Sequence, residues 1–482
     1  MITYQDYLLA VSNENGEVVE DRKAGFIQYA IDTHRGSEDY KIAKDADLYE
    51  RQRNVTINNY VHTIYTLAGA PVEDFTASNN KIASNFFHRL NTQRCTYSLG
   101  NGIHFTNDPD DEIKERLGDM FDNKFYDLAF YGLEHKIAFG FWNVDTMYVF
   151  PFTEFVPLWD EYDGTLKAGI RFWQIDETKP MSATLYEIDG WTQFRSVKAK
   201  KEGGARDEFV YKLVRDGEKK PYKKSVLTNE VGDEVEVLGQ EEYSSLPIIP
   251  FWGSKRKQST LVGMQQAIDS YDLICSGFAN DLTDCAEIYW LIENYGGMTD
   301  DELARFRDHL KINHIAEIAT GQGGSVRPYV QDVPFQARQA YLEAIKARIY
   351  EDFGALDVHQ VAANSTNDHL EAAYQPMDEE ADDFEFQCIM FLLQLLKLMG
   401  ISDTMPIFKR NRISNTKEQV DIVIAESEYL DTETILDKLP NITPDEVQEI
   451  LKRREKEDQE RMPTQTEFLR GDETEEEEET LD

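Results

Sequence analysis

Asp281, Asp284 and Glu287 stand at i, i+3 and i+6, a spacing that keeps three carboxylates along one side of a helix. In principle such a set holds a divalent ion for phosphodiester chemistry. Two features of the sequence count against it. The surrounding stretch is acidic enough to produce the spacing by chance, and no Lys, Arg or His occurs from 258 to 304 to activate or clamp a substrate. Gly321-Gln322-Gly323-Gly324 has the glycines of a phosphate-binding loop without the Lys and Ser/Thr that hold phosphate and magnesium, so it reads as a hairpin turn. The nine histidines form no HExxH pair or other zinc spacing, and Gly-x-Ser-x-Gly is missing. Cys95, Cys275, Cys285 and Cys388 form no CxxC pair, which suits free thiols in a reducing compartment. The sequence therefore assigns no catalytic residue, no cofactor and no metal ligand, and the chain is not expected to be an enzyme.

Charge narrows the remaining classes. A net charge of -40, from 50 basic and 90 acidic residues, argues against an extended surface that neutralises nucleic-acid phosphates. Self-association must overcome the same repulsion, so an oligomer is expected to depend on salt or divalent ions. A length of 482 residues with 41% apolar and 12% aromatic side chains allows a large core in roughly two to four domains. The N-terminal MITYQDYLLAVSNENGE lacks the basic flank and apolar run of a signal peptide. The most apolar stretch, IMFLLQLLKLM at 389–399, falls well short of the ~20 residues that span a bilayer. It reads as a buried helix, and no membrane partner is expected.

The elements that would position these residues point to an α+β fold. Residues 1–130 look largely helical, with Ile82, Phe86, Phe87 and Leu90 at helical spacing. From 135 to 250 short β-rich runs alternate with Gly, Asp and Pro turns, as in an antiparallel sheet; KAKKEGGAR at 198–206 reads as an exposed loop. A helix is expected over 260–286. Its apolar residues Leu261, Met264, Ile268, Tyr271, Cys275, Phe278, Leu282 and Cys285 alternate three and four apart, giving one narrow seam for a neighbouring helix. On the other side Gln265, Asp269, Asp272, Ser276, Asn280, Thr283 and Glu287 make a stripe expected to be solvated and uniformly negative. A small αβ module follows over 287–334, then a helix at 335–353, a polar loop at 357–367, and a long helix at 368–399 expected to kink at Pro376. Two short helices come next, one near 431–439 and one capped by Thr443-Pro444-Asp445-Glu446. From 421 to 482 there are 22 acids and 7 bases, and the tail GDETEEEEETLD is expected to be disordered by like-charge repulsion.

The ordered set HKIAFGFWNVDTMYVFPFTEFVPLWDEYDGTLKAGIRFW, LPIIPFWGSKRKQSTLVGMQQAIDSYDLICSGFANDLTDCAEIYWLIENYGG, YQPMDEEADDFEFQCIMFLLQLLKLMG and ESEYLDTETILDKLPNITPDEVQEILKRREKE resembles the SPP1-like family of tailed-bacteriophage portal proteins. The resemblance implies a portal fold: a β-rich wing with a helical N-terminal part (1–259), a first stem helix (260–286), a small αβ clip (287–334) and a second stem helix (335–353). A tunnel loop, its kinked long helix and a return to the wing follow (354–426), then a helical crown (427–461) and an acidic tail (462–482). His359, Gln360, Asn364, Ser365, Thr366 and Asn367 would form the tunnel loop. Asp269 and Asp272 would line the channel, and Arg305, Arg307 and Lys311 of the clip would face terminase or adaptor. Many relatives carry a Ser-Gly pair, a small residue and Lys where this chain has Asn364-Ser365-Thr366-Asn367-Asp368, so that lysine is not present here.

The resemblance also implies what the chain does. Portals form homo-oligomeric rings, usually of twelve subunits, at one capsid vertex of the virion after assembly in the host cytoplasm. Double-stranded DNA passes through the ring without sequence specificity during packaging and ejection. Partners would be the terminase large subunit, a head-completion or adaptor protein, and the major capsid and scaffolding proteins. Two other classes stay open at this point: a metal-dependent phosphoryl-transfer enzyme using Asp281, Asp284 and Glu287, and an acidic adaptor or scaffold that forms no ring.

Overall fold

Up to His135 the chain is mostly helix, and from Ile137 to Trp252 it is mostly strand. The computed structural model describes residues 2–284 with short breaks at 14, 16–17, 66–68, 75–76, 107, 109–110, 177–178, 201–208 and 229–233. Beyond that it describes 289–293, 301, 325–329, 335–358, 367–412 and short pieces between 420 and 454. The N-terminal helices are α1 (Tyr4–Val11), α2 (Glu20–Gly36), α3 (Glu38–Glu50), α4 (Val55–Asn58), α5 (Phe86–Leu99), α6 (Glu112–Leu117) and α7 (Phe121–His135). Local chemistry sets several boundaries. Thr3 and Asp6 form a reciprocal capping box on α1. Extended Ser37 separates α2 from α3, and its Oγ accepts from the Tyr40 amide at 3.3 Å. The helical spacing of Ile82, Phe86, Phe87 and Leu90 holds only from Phe86, because residues 78–85 lie outside any helix or strand and Ile82 is exposed.

The β-rich stretch forms two main antiparallel sheets. Strands Phe155–Trp159, Leu166–Trp173, Ser182–Glu187, Gly190–Lys200 and Phe209–Arg215 pair in sequence order as a five-stranded meander. Ile248–Trp252, Ile137–Asn143 and Thr146–Pro151 form a three-stranded sheet with Ile137–Asn143 in the centre. Strand, not loop, covers the start of the Lys-rich run: Lys198 is registered against Tyr211 and its ammonium sits over that ring. The apolar stem of Lys on an aromatic cross-strand partner is a favourable sheet pair. The rest of that expected loop, 201–208, lies outside the described residues.

C-terminal to the sheets come α8 (Gln265–Asp284), α9 (Phe335–Phe353), α10 (Asn367–Leu398) and α11 (Thr432–Lys438). Strands Tyr289–Glu293 and Ser325–Tyr329 pair antiparallel between α8 and α9 in the sequence. Pro406–Phe408 is a strand, paired with Ile103–Phe105. α10 continues through Pro376 as one 32-residue helix. Its acidic first half, expected to be solvated, is partly neutralised: the Arg410 guanidinium pairs with Asp378 and Glu385 at 2.9 Å each, and with Asp382.

The chain divides into two compact units, Met1–Asp357 with Pro376–Asn411, and Val358–Gln375 with Arg412–Asp482. Three cores hold the first. One packs α1 and α2 on the five-stranded sheet through Tyr7, Ile27, Ile31, Leu158, Ile170 and Phe194. The largest joins α7, the three-stranded sheet and the apolar half of α10 through Phe125, Phe139, Phe251 and Phe391. A Cβ at Gly140 would lie 2.5 Å from the Phe391 ring, so only glycine allows this close approach. The third core joins α3, α5, α8 and α9 and carries the site described below. In the second unit, Asp431 caps α11 by accepting from the Thr434 amide at 3.3 Å, and Lys438 pairs with Glu426 at 2.9 Å. The Thr443–Glu446 cap and most of the tail lie outside the described residues. Among the described residues no helix is long and apolar enough to cross a membrane.

Candidate functional site

α8 carries the seam and the acidic stripe, and its surroundings decide what each can do. Residues 260–264 form turns before the helix, with Gly263 in the left-handed region at φ +95°. Leu261, Met264 and Ile268 are buried against Ala46, Tyr49, Phe86, Phe87, Ile349 and Tyr350. The seam then opens: Tyr271, Cys275 and Phe278 are half-buried and Leu282 is exposed. Cys285 lies outside the described residues. The neighbouring helix is α9 of the same chain. Phe278 meets Phe335 with ring centroids 5.6 Å apart, Arg338 pairs with Asp281, and Ser270 and Tyr341 share a 3.1 Å hydrogen bond. Ser270 meets Tyr341 while Phe278, eight residues further along α8, meets Phe335, six residues back along α9, so the two helices are antiparallel.

The stripe opposite is solvated only in part: Thr283 is exposed and Gln265 and Asp269 are half-buried, but Asp272, expected to be solvated, is buried, and that expectation is corrected. Asp272, Ser276 and Asn280 are only 0%, 2% and 4% exposed, because the segment 80–84 and α4 lie over them. Asp272 Oδ1 accepts from the Ser84 amide at 2.9 Å, Ser276 Oγ from the Ile82 amide at 3.0 Å, and Asn280 Oδ1 from the Asn80 amide at 2.6 Å. The match is geometric. Four residues of helix rise about 6 Å, and two residues of extended chain advance about 6.6 Å, so every fourth helix side chain meets every second amide. Asn54 Nδ2 completes the first rung, donating to Asp272 Oδ2 at 2.5 Å and to the Ser84 carbonyl at 3.1 Å. Asp269 accepts from the Tyr49 hydroxyl at 2.5 Å and from Thr56 Oγ1 at 2.7 Å.

Electrostatics follow from this burial. Burial pushes the Asp272 carboxyl above the usual carboxylate range, and the hydrogen bonds from Asn54 and Ser84 pull it part of the way back. Burial and then the hydrogen bond to Asp269 push the Tyr49 hydroxyl up to about 12. Amphipathic spacing located the α8 stripe but assigned its partner wrongly, since nothing local in the sequence ties 272, 276 and 280 to 84, 82 and 80.

The other predicted residues fall elsewhere. His359, Gln360, Asn364, Ser365 and Thr366 lie outside the described residues, and Asn367 is the first residue of α10. Arg305, Arg307 and Lys311 also lie outside them. Of the carboxylate triad, Asp281 is paired with Arg338, Asp284 ends α8, and Glu287 lies outside. α9 thus supplies the cation that α8 lacks. A different trio converges among the described residues: Asp47 of α3 with Glu134 and His135 at the end of α7, their nearest ligand atoms all within 4.8 Å of one another. Only the Glu134-His135 adjacency was visible in the sequence, and Asp47 is far away along the chain. Burial, and then the charges of Asp47 and Glu50, push the Glu134 carboxyl up to about 9.

Comparison with known proteins gives the frame for these surfaces. The family model described as "Phage portal protein, SPP1 Gp6-like" matches residues 31–460. The portal protein of Clostridium phage phiCD119 is 25% identical over 395 residues, covering 77% of this chain and 83% of its own length. The portal protein of Bacillus phage SPP1 is 23% identical over 451 residues, covering 88% of this chain and 84% of its own. A family match through both sheets, α8, α9 and α10 means that the chain belongs to the SPP1-like phage portal protein family.

Proposed function

We infer that the chain is a structural portal subunit. It assembles into a homo-oligomeric ring, of twelve subunits by the family pattern, at a capsid vertex of the virion. The ring passes double-stranded DNA in packaging and ejection. The observation that carries this reading is the family match over 31–460. The antiparallel α8–α9 pair supports stem helices at 260–286 and 335–353, with a clip at 287–334 containing the strand pair Tyr289–Glu293 and Ser325–Tyr329. The wing is 1–259, the tunnel loop and long helix with a return to the wing 354–426, the crown 427–461, and 462–482 an acidic tail.

DNA slides best along a wall that does not grip it, since each phosphate neutralised adds a salt-sensitive contact. The net charge of -40 supports that property for the chain as a whole, while the carboxylates of Asp269 and Asp272 accept hydrogen bonds within the protomer. His359, Gln360, Asn364, Ser365, Thr366 and Asn367 are proposed to touch DNA weakly. Arg305, Arg307 and Lys311 are proposed to meet the terminase large subunit and the head-completion adaptor, with major capsid and scaffolding proteins around the wing. Assembly takes place in the host cytoplasm and the chemistry of packaging belongs to the partners. Negative-stain microscopy of the purified chain tests the reading: closed rings with an axial hole are expected, and monomers at every salt and magnesium concentration would overturn it.

A further inference from the structure

Glu134 is 2% exposed and His135 2% exposed, both in the last turn of α7. His135 Nε2 lies 2.8 Å from Asp47 Oδ1 and 3.7 Å from Glu134 Oε1. The Glu134 carboxylate accepts no hydrogen bond from any described residue; its one ion pair is the 3.7 Å approach of His135. A buried carboxylate without donors is costly, and native chains neutralise such a group with a proton or a cation. Both of its neighbours in the cluster are metal-ligand types, and the Asp47 side chain, 20% exposed, gives the cluster an opening to solvent.

We propose that Asp47, Glu134 and His135 form a binding site for a divalent ion of the zinc or manganese class, which staples α3 to the end of α7. One imidazole nitrogen with two carboxylate oxygens suits borderline ions better than magnesium or calcium, which prefer oxygen alone. Ligand bonds of about 2.0–2.2 Å place neighbouring donors somewhat over 3 Å apart. The separations of 2.8 and 3.7 Å from His135 bracket that value and the Asp47–Glu134 separation is at most 4.8 Å, so side-chain rotations bring the three donors to ligand spacing. The flanking charges are Lys44, 3.0 Å from Asp47, Arg51, whose positive charge acts on Glu134, and Glu50, which faces His88 at 2.5 Å. Two cations and one carboxylate leave the two ligand carboxylates only partly balanced, and the ion supplies the rest. A metal on Nε2 moves the ring proton to Nδ1, which is buried with no partner among the described residues. Lacking that supporting acceptor lowers affinity by about 10–100-fold relative to a fully supported site.

Titration calorimetry of the full chain with zinc, with manganese and with magnesium tests the site, alongside Glu134→Gln and Asp47→Asn. One zinc or manganese ion per chain is expected, with a higher melting temperature, weaker magnesium binding, and at least about tenfold weaker zinc binding in either variant. No zinc or manganese binding, or binding unchanged in the variants, overturns the proposal. Should a variant fail to fold, electron spin-echo spectra of manganese on the unmodified chain decide. A directly bound imidazole nitrogen supports the site, and an all-oxygen shell overturns it. Ring formation plays no part in this measurement, so failure of the site and failure of the portal reading are separate results.

Discussion

Asp272 and Glu134 are both carboxylates with almost no exposed surface, yet they have opposite surroundings. Asp272 meets the Asn54 amide and the Ser84 N–H. Among the described residues Glu134 meets no donor except the distant His135 nitrogen. Burial raises both carboxyls, so burial alone does not distinguish them. The supply of donors does: the first is an acceptor that holds chain to chain, and the second is a group waiting on a proton or an ion.

The sharpest way to break that distinction is to remove each group. Asp272→Ala strips the acceptor from two donors, and at about 1–3 kcal/mol per buried unsatisfied group the expected loss is about 2–5 kcal/mol. Urea denaturation reads it as a lower midpoint at unchanged slope. Glu134→Gln without metal removes no partner and is expected to stay within about 1 kcal/mol. Equal losses at the two positions would mean that donor supply is not what separates them.

The same contrast predicts a pH effect. The folded chain holds the Asp272 carboxyl above its ordinary value of 3.8, so it keeps that proton to a higher pH than the unfolded chain does. The contribution to stability is complete below the unfolded value and is lost as pH rises through the folded one, with a slope of at most about 1.4 kcal/mol per pH unit for one proton. Asp272→Asn has no proton to lose and still offers an oxygen to the Ser84 amide. Its stability–pH curve should be flatter from about pH 4 upward. If the curves of the variant and the unmodified chain stay parallel, another group sets that slope.

What could be read from the sequence follows the range of the interactions. Apolar spacing along 335–353 and the change to alternating strands after 135 are local patterns, and α9 and both sheets appear there. Leu261, Met264 and Ile268 are buried, as their seam position implied. The error over Asp272, Ser276 and Asn280 has a clear origin. Polar residues opposite an apolar seam normally face water, but here the partner is backbone, and backbone amides carry no sequence signal. The same limit hid the Asp47–Glu134–His135 trio, assembled by the packing of α3 on α7 across 88 positions. The α8–α9 ion pair of Asp281 with Arg338 was equally invisible, because α8 holds no cation of its own.

The smallest expected effect tests the ladder rung by rung. The amides of Asn80, Ile82 and Ser84 belong to no helix or strand, so without the ladder they should exchange hydrogen at nearly the free-chain rate. With it, all three are protected. Asn280→Ala removes only the rung nearest the end of the described helix, at a cost of about 1 kcal/mol, too little to unfold the chain. Exchange should then speed up at Asn80 while Ile82 and Ser84 stay slow, and Ser276→Ala should move the effect to Ile82. Loss of protection at all three amides together would mean that the segment leaves α8 as one piece. Fast exchange at all three in the unmodified chain would remove the ladder altogether, and with it the reason why Asp272 differs from Glu134.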